Sequence, residues 1–148
     1  MNGLVNQAKL LEYQLRLFLL NDSDVAALVA DRVFPAPAPQ NAVMPLITLQ
    51  RVSADREYAL EGRVGMTGAL VQVDCWADAP EYAGSYGIAK QVAEVVRLKL
   101  EGFMGYMGVL RIYEVTIASE SDMFETMDRT RRVSADYRIW YAEKTSLT

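Results

Sequence analysis

One long amphipathic helix, predicted at residues 80–101, separates two groups of strands, and this order constrains the fold more than any other feature of the sequence. Pro80 is well tolerated in the first turn of a helix. Apolar side chains then recur at spacings of three and four as far as Leu100, which is typical of a helix packed on a sheet. With only one long helix between strands, we predict an α+β fold. It has a mostly antiparallel sheet of four to five strands, with two N-terminal helices and the long helix packed on one face.

Apolar and alternating segments predict the other elements. Alternation runs through residues 69–77 and again through residues 131–141, which predicts two strands with one buried face each. Helices are predicted at residues 4–20 and 23–30. The first has leucines on more than one side, which is typical of a helix that is deeply buried or covered by a neighbouring subunit. The remaining elements are two strands (45–53 and 109–118), a short edge strand (32–34), a glycine-marked turn (102–108), a loop or long hairpin tip (54–68) and an exposed loop (119–130).

The length of 148 residues is that of one domain. A chain of this size buries roughly 68–70% of its unfolded surface, so it needs neither a disulfide nor a metal to hold it together. No segment has the length and hydropathy of a membrane span, and the N-terminus lacks the pattern of a signal peptide. We predict a single domain, residues 1–148, divided in chain order into N-terminal helices, first strands and loops, long helix and C-terminal strands at 4–30, 31–79, 80–101 and 109–142.

The composition excludes most catalytic chemistry because the chain contains no histidine. Histidine is the commonest general base near neutral pH and the commonest metal ligand, so its absence removes Ser-His-Asp catalysis, Cys-His catalysis and most zinc sites. The single cysteine, Cys75, excludes an internal disulfide and fits a reducing compartment. A formal net charge of −4 argues against DNA or an anionic membrane as the main partner. We therefore expect no cofactor, no metal and no enzyme activity.

The remaining patterns for chemistry each have a simpler interpretation. The glycine-marked turn follows a helix and precedes a strand, whereas a phosphate-binding loop needs the reverse order. Asp22 and Asp24 lack the glycine turn and distal glutamate of a calcium loop, and helix capping explains them. Asp74 and Asp136 could form a carboxylate pair if their strands are neighbours, but cross-strand pairing with Arg138 is the plainer interpretation.

Two tryptophans on predicted strands indicate a protein interface. The alternation places Trp76 with Asp74, and Trp140 with Arg138, on strand faces directed away from the helices. Tryptophan with arginine is typical of the centre of protein interfaces, although each ring could instead lie flat on its own sheet. Base stacking is the poorer interpretation because the chain is acidic. The candidate interface residues are Asp74, Trp76, Arg131, Arg132, Arg138 and Trp140.

Acidic residues are concentrated in the predicted loop just before the last strand. An acidic loop followed by a basic strand start is a dipolar patch that could meet its opposite on an adjacent subunit, and a solvated surface is the equally simple alternative. The same acids could gather a divalent cation in an assembly, but a solvated loop is the commoner case. The acids are Glu120, Asp122, Glu125 and Asp128, followed by Arg129, Arg131 and Arg132.

Four segments, with the long helix between the third and the fourth, occur in an informative order and spacing. They are DVAALVADRVF at 24–34, PLITL at 45–49, VQVDCWA at 71–77 and RRVSADYRIWY at 131–141. Together they resemble the tail completion, or tail terminator, proteins of long-tailed bacteriophages and prophages, over residues 8–142. The proline-rich connector at 34–39 and the methionine-rich stretch at 104–127 depart from the family pattern, which bears on partner details more than on the family.

The resemblance implies a structural role. Proteins of this kind form a hexameric ring on the head-proximal end of the tail tube, stop tube polymerisation and offer a surface to the head connector. The implied partners are other copies of the chain, the tail-tube protein and the head–tail connector or stopper. DNA only passes through the lumen, no membrane is involved, and the ring belongs to the virion tail after assembly in the host cytoplasm. A tube that passes DNA usually avoids a basic lumen, so we expect the acidic loop to face the lumen or the tube end.

Two alternatives remain at this point. The first is another joining protein, such as a head–tail stopper or a connector adaptor, which would differ in the neighbour it binds. The second is a small-molecule-binding domain or an enzyme that uses carboxylates. That class requires a deep pocket with convergent polar groups, and the sequence shows no such set.

Overall fold

The structure, a computed structural model, describes residues 9–59, 62–78, 84–125 and 130–143, and for 57–59, 62–64, 84–86, 125 and 143 it describes the backbone alone. Three helices and six strands lie within these residues. They are α1 (Leu11–Leu20), α2 (Ser23–Val29), β1 (Val33–Pro35), β2 (Leu46–Ala59), β3 (Gly62–Asp78), α3 (Gly84–Leu100), β4 (Gly105–Met107), β5 (Leu110–Glu125) and β6 (Thr130–Glu143).

The six strands form one sheet in the order β1-β2-β3-β6-β5-β4. β1 pairs with β2 in parallel, and every other neighbouring pair is antiparallel. The α+β class is confirmed, but the predicted count of four to five strands is slightly low. The strand that the prediction missed is β4, because a three-residue strand that begins at Gly105 and ends just before Gly108 carries no periodic signal and indicates a turn.

One face of the sheet carries the helices, as predicted. Alternate residues of β3 and β6, including Val71, Val73 and Tyr137, belong to the same buried cluster as residues of all three helices. The buried side chains of α1 and α3 fall at spacings of three, four and seven, so each helix presents one apolar stripe to the sheet. These helix residues are Leu11, Leu15, Leu19, Ala89, Val92, Val96 and Leu100. The opposite face of the sheet, called here the outer face, is free of helices in the described residues.

The helix ends differ modestly from the predicted ones. Residues 9 and 10 are not part of α1, although the predicted helix includes them, and its predicted start at residue 4 lies outside the described residues. Asp22 begins α2, since its side chain accepts a 3.0 Å hydrogen bond from the Val25 N–H. The helix predicted at residues 80–101 begins at Gly84 in the described part of the chain and ends at Leu100.

Two predicted loops are strand in the structure. Described residues within 54–68 continue β2 and β3 as a long antiparallel hairpin, so of the two predicted alternatives the hairpin is correct for these residues. The prediction of a loop at 119–130 is wrong for residues 119–125, because these residues extend β5 and pair with β6. The register shifts of β5 between Ile112 and Glu114 and between Ile117 and Ser119 explain the error. Each shift changes which residues share a face, so the alternation that marks a strand is interrupted.

Candidate protein interface

The outer face of the sheet holds most of the candidate interface residues. Strict alternation places Gln72, Asp74 and Trp76 of β3 on this face, while Val73 and Cys75 point into the core. β6 runs antiparallel beside β3, so its own outer residues meet those of β3 in cross-strand pairs. The sequence pattern therefore predicted the face correctly, and the register decides which residues meet.

Trp76 is the centre of one group. Its indole N–H donates a 3.0 Å hydrogen bond to Thr48 Oγ1 of β2. Arg132, which is opposite Trp76 in the β3–β6 register, places its guanidinium carbon 4.9 Å from the centroid of the Trp76 ring. A guanidinium stacked on an indole is held by cation–π attraction and is typical of interface centres.

Asp74 joins this group through one of its two carboxylate oxygens. Oδ2 accepts a 2.9 Å hydrogen bond from the Gln72 side-chain amide and lies 3.5 Å from a terminal nitrogen of Arg132. The residue is only 6% exposed, and its other oxygen, Oδ1, has no hydrogen-bond partner in the described residues. The hydroxyl of Thr130, which is 5% exposed, is likewise unpartnered there. Buried polar atoms are usually hydrogen-bonded, so two unpartnered atoms on one face of the sheet are unusual.

Both open atoms belong to residues that line one groove. It has a volume of about 850 Å³ and lies between the proline-rich segment 36–42 and the outer face of β2, β3 and β6. Its apolar wall includes Pro37, Pro39 and Met44. Its polar wall is formed by Thr48, Gln50, Gln72, Asp74, Trp76, Asp78, Thr130 and Arg132. This groove is called the sheet cleft below.

Trp140 and Arg138 form a separate group towards the other end of the sheet. Trp140 is half-buried and lies against Gly68, its partner in the β3–β6 register. Arg138 lies 3.7 Å from a carboxylate oxygen of Asp55 on β2. Arg138 therefore pairs with Asp55, and the cross-strand pairing predicted for it with Asp74 or Asp136 is not formed.

Arg131 lies apart from both groups. It is opposite Ala77 on β3 and Phe124 on β5, and its guanidinium carbon is 4.4 Å from the centroid of the Phe124 ring. Ala77 packs with Ala89 of α3, which places Arg131 towards the helix side of the sheet. The six candidate residues thus divide between the sheet cleft, the Trp140 group and the helix side.

Two residues of the predicted acidic loop lie on a strand, β5, in the structure. Glu120 and Asp122 are exposed residues of a strand, opposite Ala135 and Val133 of β6, and so lie towards the helix side. A carboxylate oxygen of Asp122 lies 3.3 Å from the Lys90 ammonium of α3. The side chain of Glu125 and the whole of Asp128 lie outside the described residues, as does Arg129.

One exposed cluster was missed by the sequence reasoning. The guanidinium of Arg111 lies 5.7 Å from the ring centroid of Tyr106 and 5.1 Å from that of Tyr113. Nearby in the chain, Met104 is 72% exposed and Val109 is 42% exposed. Tyrosine, methionine and arginine are enriched at interfaces. The signal was present as aromatic and methionine side chains around the glycines of 102–108, but those glycines led to the assignment of a turn.

The chemistry considered from the sequence finds no support in the described geometry. Asp74 is opposite Ser134 and Asp136 is opposite Gln72, and Asp136 accepts a 3.0 Å hydrogen bond from Ser119, so the two carboxylates form no pair. Burial raises the pKa of the Cys75 thiol far above its ordinary value, with a further contribution from Asp74, so the thiol stays protonated at neutral pH.

The described ranges contain neither a cluster of metal ligands nor a helix that could span a membrane. No three residues of types that ligate metals lie together there. None of the helices in the same ranges has the length and apolar character needed to cross a membrane.

Comparison with known proteins gives the chain its family. In the virion of a native gene transfer agent (GTA) particle, one chain matches this structure with a TM-score of 0.67 and 21% identity, over 89% of this chain and 94% of that chain, which shows a shared fold. No curated protein sequence matches. The sequence pattern of the family described as tail completion protein gp17 matches residues 14–142. Since that match spans most of the sequence, the chain belongs to the tail completion protein gp17 family and is a structural protein of the bacteriophage virion tail.

Proposed function

We propose that the chain is the subunit of a ring, of six copies, that closes the head-proximal end of the tail tube and joins it to the head connector. The observation that carries this proposal is the family match over residues 14–142. The subunit acts by binding and by shape, and it catalyses no reaction. DNA passes through the ring without specific recognition, in keeping with the net charge of −4.

A ring requires two different surfaces on each subunit, because a head-to-tail contact joins one patch to another. The described residues offer two such patches. The first is the sheet cleft, with Trp76 stacked under Arg132. The second is the cluster of Arg111 between Tyr106 and Tyr113 on the opposite edge of the sheet. The cleft is formed on β2, β3 and β6 and the Arg111 cluster on β4 and β5, so these are two different patches, as a heterologous contact requires.

The edges of the sheet also support an assembly. β1 pairs with β2 only at Ile47–Leu49, and β4 pairs with β5 only at Leu110–Ile112. The rest of β2 and β5 has no further strand beside it within the described ranges. Long uncovered strand edges are sites where another chain can pair. The charged residues along β5, including Glu114 and Glu120, discourage uncontrolled pairing. We assign the acidic segment that begins at residue 119, with Glu120 and Asp122, to the lumen or the tube end.

Electron microscopy of the purified chain, alone and mixed with tail tubes, tests the proposal. We expect six-membered rings, or a cap on one end of each tube that prevents further growth on addition of tube protein. Tubes that keep growing, with no ring and no cap at any protein concentration, would refute it. Binding to the head connector but not to tube ends would instead support the head–tail stopper or adaptor.

A further inference from the structure

The β2 edge of the sheet is covered over only part of its length. β1 pairs with Ile47–Leu49, and the Ala36 N–H donates a 2.9 Å hydrogen bond to the carbonyl of Leu49. From Gln50 to Ala59 no further strand lies beside β2 within the described residues. This stretch therefore presents backbone donors and acceptors with which another strand can pair.

The β5 edge, on the opposite side of the sheet, is covered in the same manner. β4 pairs with Leu110–Ile112, and the Gly102 N–H donates a 2.9 Å hydrogen bond to the carbonyl of Val115. Residues 116–125 have no further strand beside them in the part of the chain that the structure describes. Each subunit thus has one uncovered stretch on either side of its sheet, and either stretch can take a strand from another chain.

Exposed charges of opposite sign lie along the two stretches, on the helix side of the sheet. On β2 they are Arg51 and Arg56, whose register partners on β3 are buried on that side. On β5 they are Glu120 and Asp122, whose register partners on β6 are likewise buried. Asp122 contacts Lys90 of α3, whereas neither arginine nor Glu120 forms an ion pair within the described part of one subunit. The two stretches are therefore complementary in charge.

This distribution favours contact between unlike edges. Two β2 edges would bring arginines together and two β5 edges would bring carboxylates together, and like charges on neighbouring strands are destabilising. β2 and β5 also run in opposite directions, because three antiparallel pairings separate them. Copies placed side by side in the same orientation therefore present β5 of one copy antiparallel to β2 of the next. Such a head-to-tail contact is the kind that generates rings.

We propose that residues 120–124 of β5 pair antiparallel with residues 51–56 of β2 of a second copy, so that the sheet continues from one subunit to the next. This inference rests on the proposed ring and identifies its lateral contact. The partner is a strand edge of the same sequence, and not the tail-tube protein or a small molecule. Backbone hydrogen bonds hold the contact, and the exposed charges select which edges meet.

Three requirements fix the register of this contact. The helix sides of the two copies must coincide, because a slip of one residue moves every side chain to the other face. Leu49 must lie beyond the end of β5, because β1 already occupies the β2 edge there. The number of paired residues must then be as large as possible. The register that satisfies all three places Arg56 opposite Glu120. Asp122 is then opposite Ala54, between the two arginines.

The resulting offset between copies suits a closed ring. Within one subunit Arg56 is level with Tyr141 of β6, whereas Glu120 is opposite Ala135, six residues along that strand. Six residues span about 20 Å along the strands, and the four strands β2, β3, β6 and β5 span about 19 Å across them. The strands therefore tilt by about 45° from the ring axis, at the upper end of the roughly 35–45° found in closed barrels.

The first test exchanges the charges of one pair between copies. Arg56→Glu and Glu120→Arg should each lower the fraction of subunits in rings at least tenfold, because like charges then meet at every contact. An equal mixture of the two variants should restore that fraction to within twofold of the unchanged chain, since every contact of an alternating ring again joins opposite charges. Lys9→Glu, the reversal of an exposed cation that precedes α1, is the control and should leave ring formation within twofold.

Two outcomes of this test would overturn the proposal. The first is single variants that assemble as well as the unchanged chain. The second is a mixture that stays unassembled although circular dichroism shows both variants to be folded. If the unchanged chain forms neither rings nor tube caps, the proposed function itself has failed.

The second test detects the paired strands and leaves the charges unchanged. In a Cys75→Ala background, Ser53→Cys and Met123→Cys together place two thiols opposite each other across the proposed contact, on the outer face. Within one subunit these positions are three strand spacings apart, at least about 14 Å. A disulfide needs Cα atoms within about 7 Å, so mild oxidation can join only different copies.

We expect a ladder of covalent oligomers of up to six copies on a denaturing gel, because each copy contacts two neighbours. Each single-cysteine variant should stay monomeric, since like edges do not meet. Ser53→Cys with Thr116→Cys is the matched control, because these two residues are level within one subunit and would link only if the copies were not offset. Rings of the Ser53→Cys, Met123→Cys protein that yield no ladder, or links in the control instead, would overturn the proposal while leaving the ring intact.

Discussion

The indole of Trp140 lies directly over Gly68, the residue opposite it on the neighbouring strand. A Cβ placed on Gly68 would come within 2.6–2.7 Å of three carbons of the six-membered ring. Only a residue without a side chain lets the indole approach the backbone of β3 so closely. Trp140 therefore covers its own sheet with one side of the ring, and its other side remains for solvent or a partner.

Replacement of Gly68 by alanine should move this indole. We expect Gly68→Ala to lower the free energy of unfolding by about 1–3 kcal/mol, the usual cost of forcing extra volume into a packed site. Urea unfolding followed by circular dichroism measures it, and the emission of tryptophan should shift to longer wavelength.

Gly87→Ala is the matched control for that experiment. Gly87 is an exposed residue of α3 with no atom within 4 Å of an added Cβ. Alanine favours helix over glycine by up to about 1 kcal/mol, so this variant should be as stable as the unchanged chain or more stable. An unchanged unfolding midpoint in Gly68→Ala would show that the ring moves aside at no cost.

The thiol of Cys75 should be unreactive in the folded protein. It is buried on the helix side of β3, and burial raises its pKa, so neither access nor a thiolate is available at pH 8. A disulfide reagent should label native protein slowly and unfolded protein at once. Thr116→Cys in a Cys75→Ala background is the control, since residue 116 is exposed on β5 and should react immediately. Rapid labelling of Cys75 in the native state would contradict its burial.

The sequence predicts those parts of the fold in which apolar residues recur at an unbroken helical or strand spacing. Alternation in residues 69–77 and 131–141 identified which residues of β3 and β6 are buried, and helical spacing found α3. The C-terminal part of β5 was missed because its bulges interrupt the period at Glu114 and Ser119. The parallel pairing of β1 with β2 depends on tertiary contacts of α1, which no local pattern contains.

The candidate site was predictable in its face and not in its partners. Alternation placed Asp74 and Trp76 together, since they are two residues apart on one strand. Their contacts with Thr48 and Arg132 depend on the register of two other strands, which the sequence does not fix locally. The wall formed by residues 36–42 could not be predicted, because it depends on the proline-rich connector folding back over the outer face.

Asp22 links α2 to α3 and should make stability depend on pH. Burial alone would raise the pKa of its carboxyl, but the hydrogen bond from Val25 and the Lys99 ammonium, 3.0 Å away, hold that pKa below its ordinary value. A carboxyl with a lowered folded-state pKa contributes stability above its ordinary pKa and loses it as pH falls through the folded value. We therefore expect the contribution of Asp22 to decline as the pH falls below about 4 and to be lost once the pH is below the folded-state pKa.

Two variants separate the cap from the charge. Asp22→Ala removes the acceptor for Val25 and should lower the free energy of unfolding at pH 7 by about 1 kcal/mol. Asp22→Asn keeps a capping oxygen but not the charge, so its loss at pH 7 should be smaller, and that loss should shrink in acid as the Asp22 carboxyl of the unchanged chain becomes protonated. If the free energies of unfolding of Asp22→Ala and the unchanged chain differ by the same amount at pH 7 and at pH 2.5, the charge of the Asp22 carboxylate contributes nothing to stability.

The indole N–H of Trp76 should stabilise the floor of the sheet cleft through Thr48. Trp76→Phe keeps an aromatic face beneath Arg132 but removes the donor to Thr48 Oγ1, which belongs to a residue only 5% exposed. We expect a loss of about 1–2 kcal/mol in the free energy of unfolding, because a buried hydroxyl is left without its partner. Thr48→Val removes the other partner with little change of shape. The double variant has no hydroxyl left without a partner, so the losses of unfolding free energy in the two single variants should not add. The coupling energy should be about 1 kcal/mol. Strict additivity would mean that the 3.0 Å contact contributes no stability, and that Trp76 is held in place by Arg132 and packing alone.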